Sequence, residues 1–275
     1  TEQRSGTEQR SGAEPAEADD DQAWYVYGVV PAGAELDAAA RGADPARPLT
    51  ILTEGDLAAV AGRVSLEEFD ETRLREHLAD LGWVEATARA HQAALDRIHQ
   101  QATVIPMRMC TVYRTEGGVR EMLSREAVPL QEAIEQLDGG SEWAVKVFAD
   151  VAAAGGSAQA DDASGAAYME RLQNEGERRE RTLAAADGAA AQIHDRLSAV
   201  AGDARVIPLQ RSEVSGHAGE MILNGVYLVA DEDAPAFHEH VAMLGSEYEE
   251  HGIRLVLTGP WPAYNFIPAT IGAAW

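Results

Sequence analysis

A single cysteine, Cys110, stands among the 275 residues, so no intrachain disulfide can form. The fold must rest on burial alone. A chain of this length hides roughly 70% of its unfolded surface, which suffices without disulfide or metal. One cysteine also fits a reducing compartment. No run of about 18 apolar residues occurs, so no membrane span is expected. No basic stretch with an apolar core opens the chain, so no secretory signal is read, and the start at Thr1 fits processing or trimming. These absences predict a cytoplasmic protein. Basic side chains are scarce too: 22 Lys and Arg against 46 Asp and Glu give a formal net charge of -24. That field repels nucleic acid and anionic lipid. It is the mark of an acidic proteome or of a surface that steers a basic partner.

Catalytic and cofactor motifs are missing as well. There is no His-Glu-x-x-His and no cysteine pair for zinc. No Gly-x-Gly-x-x-Gly follows a strand, and neither a phosphate-binding Gly-x-x-x-x-Gly-Lys-Ser/Thr nor a Gly-x-Ser-x-Gly elbow is present. His238 and His240 lie two apart on an expected helix and point in different directions. His91, Leu95 and His99 share a helical face, but two histidines do not make a ligand set. His91 reads instead as a packed, hydrogen-bonded core residue. Cys110 reads as a small core side chain rather than a thiol activated by His91 or His99. The sequence thus predicts no enzyme, no metal and no cofactor.

What is present divides into three parts: an acidic tail over 1–22, an N-terminal α+β domain over 23–140, and a C-terminal domain over 141–275. The tail repeats Thr1-Glu2-Gln3-Arg4-Ser5-Gly6 as Thr7 to Gly12 and is expected to be disordered. Trp24 to Val30 is aromatic and β-branched and predicts a strand. Leu49–Leu52 and Leu57–Val64 flank Glu54-Gly55-Asp56, a hairpin signal. Ser65 and Glu68 have capping-box spacing. Leu74, Leu78, Leu81, Val84, Ala88, His91, Leu95 and Ile98 follow at helical steps, with a break expected near Gly82. Val104-Ile105-Pro106-Met107 predicts a short strand, and Glu116–Leu137 a helix ending at Gly139-Gly140.

The second half reads as a strand at Trp143–Ala149, a loop over 151–164, and a helix over about 166–200. Glu175 with Arg179 and Glu177 with Arg181 mark that helix's solvated face. Strands follow at Arg205–Leu209 and Leu223–Ala230. A helix carries Phe237, Val241, Leu244 and Tyr248, and a strand alternates from Ile253 to Thr258. The order β-α-β-β-α-β predicts a ferredoxin-like domain, two helices on one face of an antiparallel sheet. Trp24 and Trp143 each open a half, and Val104 to Met107 echoes Val206 to Leu209. Two related domains or chance agreement would explain this.

Two segments stand out as candidate partner surfaces. Around Trp143 and Lys146, one strand face carries Trp143, Val145 and Val147, and the other carries Glu142 and Lys146, read as an ion pair. In the second, Pro260 and Pro262 are expected to end the ladder after Thr258. They hold Gly259 and Trp261 extended, with Tyr264 and Phe266 close behind. The rings are either a preorganised binding anchor or a plug over the sheet end.

Thr258-Gly259-Pro260-Trp261-Pro262-Ala263-Tyr264-Asn265-Phe266 resembles the C-terminal signature of the gas vesicle GvpF/GvpL family. Glu142-Trp143-Ala144-Val145-Lys146-Val147 resembles its central strand. His91 with Val104-Ile105-Pro106-Met107-Arg108 resembles its histidine helix and following strand. Tyr25-Val26-Tyr27-Gly28 and Gly165-Ala166-Ala167-Tyr168-Met169 are similar to further family segments. Met109-Cys110 departs from the more usual Phe-Gly, and Ala263 stands where a second proline is common. The resemblance implies a non-enzymatic cytoplasmic accessory protein of two α+β domains. Its implied partners are the hydrophobic shell protein GvpA and other vesicle accessory proteins. A ligand-binding or enzymatic α+β protein with a site between its domains is the alternative.

Overall fold

The computed structural model describes residues 21–36, 42, 47–137, 139–150, 184–209, 219–268 and 271. The tail repeat, the 151–164 loop, the two Glu–Arg pairs near 175–181 and the segment at 165–169 lie outside these residues.

The first sheet is antiparallel. It contains β1 (Gln22–Pro31), β2 (Thr50–Glu54) and β3 (Leu57–Ser65) in the order β2-β3-β1. The position beyond β1 is shared by two short strands, β4 (Ile105–Pro106) and β5 (Val112–Tyr113). The expected β2–β3 hairpin closes on Gly55, whose φ of 58° is a conformation glycine adopts without a Cβ penalty. A bulge in β1 between Val26 and Gly28 resets the side-chain alternation. Tyr25, Tyr27 and Val30 therefore share one core, and Val26 and Val29 the other.

After β3 come α1 (Leu66–Phe69), α2 (Glu71–His77) and α3 (Leu81–His99). Ser65 caps α1, but the expected capping box does not form. Ser65 Oγ accepts from Glu67 N, but the Glu68 carboxylate takes Trp83 Nε1 at 2.8 Å. The break falls at Leu78–Asp80, where Asp80 caps Gly82 and Trp83. Leu78 and Leu81 are consequently exposed rather than on the core face. The stretch read as one helix from Glu116 is two, α4 (Glu116–Arg125) and α5 (Ala127–Leu137), separated at Glu126. Pro129 sits in the first turn of α5, where its missing N–H costs no helical bond.

The second sheet contains β6 (Gly140–Ala149), β7 (Asp203–Val206), β8 (Glu220–Ala230) and β9 (Ile253–Trp261) in the order β7-β8-β6-β9, all antiparallel. A helix at 184–198, α6, and α7 (Ala234–Glu249) cover one face. That core joins Trp143, Val145 and Val147 to Ile193, Leu197, Phe237, Val241 and Leu244.

The sheets and helices stack in layers. α3 packs against Tyr25, Tyr27 and Val60 on one face of the first sheet. The other face shares a single core with α4, α5, the second sheet and the chain after β9. Val26, Ile105, Met122, Leu130, Val226, Leu228 and Phe266 all belong to it. An apolar seam thus joins the first half to the second. The expected end of β9 at Thr258 is corrected. The ladder resumes after a bulge, and Trp261 pairs with Glu142. Gly259, at φ 136°, makes the detour possible, and Pro260 occupies a position that needs no donor.

Candidate functional site

The chain leaving β9 folds into a hook against the seam. Tyr264 N donates to Pro262 O at 2.7 Å and Phe266 N to Ala263 O at 3.1 Å, which turns the backbone sharply. Pro262, Ala263 and Phe266 face inward. Trp261 and Tyr264 are each 36% exposed. The inward residues of the signature plug the seam, and two of its aromatic rings reach solvent.

Glu142 fixes the hook from below. Its buried carboxylate accepts from Asn265 N at 2.9 Å and from Asn265 Nδ2 at 2.6 Å. Burial raises its pKa, opposed by those two bonds and by the charge of Arg205. Arg205 in turn donates to Asn265 O and lies 5.0 Å over the Phe266 ring. This corrects the expected Glu142–Lys146 pair. Four residues along a strand span about 13 Å, too far for direct contact.

Gly259 sits where nothing larger fits. A Cβ there would stand 2.9 Å from Glu142 O and 2.9 Å from Trp143 Cε3. Trp143 is buried beneath it, edge-on to His238 at 4.3 Å between ring centres. Lys146, the chain's only lysine, lies further along β6, half-buried and opposite Asn224 and Val256. Trp143, Gly259, Pro260, Trp261, Pro262, Tyr264 and Phe266 are thus brought together, with Lys146 set apart.

His91 and Arg108 belong to another cluster, within the first sheet. His91 Nε2 meets Met107 O at 3.1 Å, and a carbonyl can only accept, so Nε2 carries the proton. Nδ1 then accepts from the Tyr25 hydroxyl at 3.0 Å, and that oxygen accepts from Cys110 N at 2.9 Å. Every polar atom in this line is satisfied. Burial pushes the His91 pKa down to about 4 and the Cys110 thiol up to about 11. His91 is a core residue, as its face implied. Cys110 adopts φ 65°, in the left-handed region that favours glycine. Arg108 is exposed, and its carbonyl accepts from Thr111 Oγ1 at 2.7 Å.

A polar strip on α3 links the two clusters. Tyr264 Oη donates to Gln92 Oε1 at 3.4 Å, and Gln92 Nε2 donates to Asp96 Oδ1 at 2.7 Å. Farther along, His99 Nε2 reaches Ser141 Oγ at 3.1 Å, and Ser141 donates to Asp231 at 2.9 Å. The residue types suggest a hydrolase triad, but the order does not. Activation places the histidine between serine and carboxylate, whereas here the serine stands in the middle. Asn265, Ser141, Asp231 and the Gln92–Tyr264 contact carried no local signal, because the partners lie tens of residues or more apart in sequence.

Among the described residues no group of three or more His, Cys, Asp or Glu could hold a metal, and no helix is long and apolar enough to cross a membrane. A cavity of about 640 Å³ opens between α6, the end of α7 and the start of β9. Its lining includes Ala186, Gln192, Tyr248 and Ile253, on the far side of the second sheet from the seam.

Two antiparallel sheets joined by an apolar seam, with polar clusters that brace one element against another, define a mixed α+β protein. The family of gas vesicle synthesis protein GvpL/GvpF matches residues 23–268, and the chain belongs to that family. It is 36% identical over 258 residues to gas vesicle protein L of a Streptomyces species, covering 90% of this chain and 93% of that one. It is 22% identical over 228 residues to gas vesicle protein F1 of Halobacterium salinarum, covering 80% and 89%. In fold it is similar to the crystal structure of GvpF from an Anabaena species, with a TM-score of 0.66 at 19% identity, over 90% of this chain and 97% of that one. GvpF from Microcystis aeruginosa gives a TM-score of 0.64 at 16% identity, over 90% and 99%. The family places the chain in gas vesicle formation, and it is not known as a family of enzymes.

Proposed function

We propose that this chain is a non-enzymatic, chaperone-like accessory protein that works in the cytoplasm and holds the hydrophobic shell protein GvpA, with other vesicle accessory proteins, during assembly. The observation that carries this reading is the aromatic pair Trp261 and Tyr264, half out of the fold on a hook clasped by Glu142 and Asn265. Rings held in place before binding lose little entropy on contact, and tryptophan and tyrosine are favoured anchors. We read 23–140 and 141–275 as two α+β domains, the second ferredoxin-like. The order β7-β8-β6-β9 with two helices on one face supports that reading.

Pull-down of the shell protein tests it. Wild-type chain is expected to retain the shell protein at micromolar concentration. Trp261→Ala is expected to weaken retention at least tenfold while the melting temperature stays within a few degrees. No retention by the wild-type chain overturns the reading. Retention unchanged in a Trp261→Ala, Tyr264→Ala double variant removes the aromatic pair from it.

A further inference from the structure

A sheet edge is a template for another strand, and proteins blunt such edges with short strands, charges, proline or bulges. Among the described residues, three of the four sheet edges are blunted in this way. β2 is five residues long, and Arg120 of α4 takes its Thr53 carbonyl. The opposite edge of the first sheet is broken into β4 and β5, two residues each. β7 has four residues and runs directly into Ile207-Pro208. β9 differs. It is nine residues long, and its proline and bulge are confined to the far end. From Ile253 to Thr258 there is neither glycine nor proline, and among the described residues only β6 pairs with it. Leu255, Val256 and Leu257 are half-buried, with Leu255 and Leu257 packed against the core under the helices, while β6 beside them is mostly buried. Its one charged side chain, Arg254, is laid over the Phe148 ring at 5.1 Å.

We propose that the outer edge of β9, from Ile253 to Thr258, is a strand-addition site for an extended apolar segment of the vesicle shell protein, basic at the end that meets Glu249 and Glu250. This rests on the reading above that the chain holds that protein. Backbone pairing along β9 supplies the contact, and half-buried Val256 and its neighbours meet alternate apolar side chains. The exposed carboxylates of Glu249 and Glu250 sit just before the strand, on a chain of net charge -24, and so select a basic residue there. The same field disfavours a second copy of this chain on that edge. At its other end β9 delivers the bound segment to Trp261.

Amide hydrogen exchange of the full chain, alone and with purified shell protein, tests this. Alternate amides in 254–258 are expected to slow at least tenfold on addition. Val256→Lys is expected to weaken retention at least tenfold. The exposed Thr258→Lys change does the same and decides the matter if Val256→Lys fails to fold. Slowing confined to 261–266 overturns this proposal and leaves the assembly reading standing. No slowing anywhere, with no retention, overturns both. Slowing in 254–258 without added protein, together with a dimer mass in sedimentation, assigns the edge to a second copy and overturns the proposal.

Discussion

The two sheets share one plan and use its last position differently. Numbered within each half, both run second, third, first, fourth, with every pair antiparallel. In the second sheet the fourth strand, β9, is continuous. In the first it is split into β4 and β5, and the residues between them bulge from it, held to β1 through Met107 N and Thr111 O. Those residues supply Met107 O and Cys110 N, which complete the bonds of His91 and Tyr25. The first sheet gives up a clean edge to close a buried polar line. The second keeps the edge and puts its irregularity at one end, where Gly259 and the hook tie the halves together. An unsatisfied buried group costs about 1–3 kcal/mol, so a closed line such as that of His91 resists change.

The largest effect is expected where that line is cut. His91→Ala leaves the Tyr25 hydroxyl and the Met107 carbonyl without their partner and opens a cavity against Tyr25 and Tyr27. A loss of about 4 kcal/mol is expected in urea unfolding. The wild-type chain also carries a pH signature. Unfolded histidine titrates near about 6.5, whereas folded His91 titrates at about 4. Between these values the unfolded chain binds the proton and the folded chain does not. Stability therefore falls as pH drops through this window, by at most about 1.4 kcal/mol per unit from this residue. His91→Ala should remove that share of the slope.

Next in size is the matching position in the second sheet. Gly259→Ala places a Cβ 2.9 Å from a backbone oxygen at a φ that L-residues rarely adopt. A cost of about 3 kcal/mol is expected, since neither Glu142 O nor the Trp143 ring can yield cheaply. Hydrogen exchange sharpens the comparison. Gly259→Ala should loosen β9 and the hook before β1, and His91→Ala should do the reverse. Uniform loosening by both would mean that the seam makes the sheets one cooperative unit.

Asn265→Ala tests the clasp between them. It strips the buried Glu142 carboxylate of its side-chain donor, with an expected cost of about 2 kcal/mol. Burial already raises the Glu142 pKa, so the folded chain holds its ionised form less favourably than the unfolded chain does. Glu142→Gln should therefore recover part of the loss in the double variant, as a thermal double-mutant cycle would measure.

Much of this plan was legible in the sequence, and the reason is local. β1, β3, β6 and α7 declare themselves by alternation or by helical steps, and the second sheet's strands were read in their chain order. The missed features depend on distance. β5 is two residues long and exists only because Trp24 and Tyr25 lie opposite it. The break at Glu126 interrupts a stretch whose apolar spacing continues through it. At the candidate site, Trp143 was read in one segment and Gly259 and Phe266 in another, and it is the fold that sets Gly259 against Trp143. Asn265 was quoted only as part of the C-terminal signature, because its partner Glu142 is 123 residues away. The Glu142–Lys146 pair failed for a geometric reason, the strand's rise per residue.

The smallest expected effect has the opposite sign. Cys110 sits at φ 65°, which costs an L-residue about 1–2 kcal/mol relative to glycine. Its backbone N–H must stay where it is to reach the Tyr25 hydroxyl, so the conformation is imposed by the network rather than by cysteine itself. Glycine would remove the Cβ strain, give up some half-buried contact, and add about 0.5–1 kcal/mol of unfolded-state entropy. Cys110→Gly is therefore expected to stabilise by less than about 1 kcal/mol, while β-branched Cys110→Val destabilises by about 2 kcal/mol. Parallel thermal melts would measure both. If Val is tolerated as well as Gly, the left-handed turn is not what holds Cys110 N against Tyr25, and the break between β4 and β5 needs another cause.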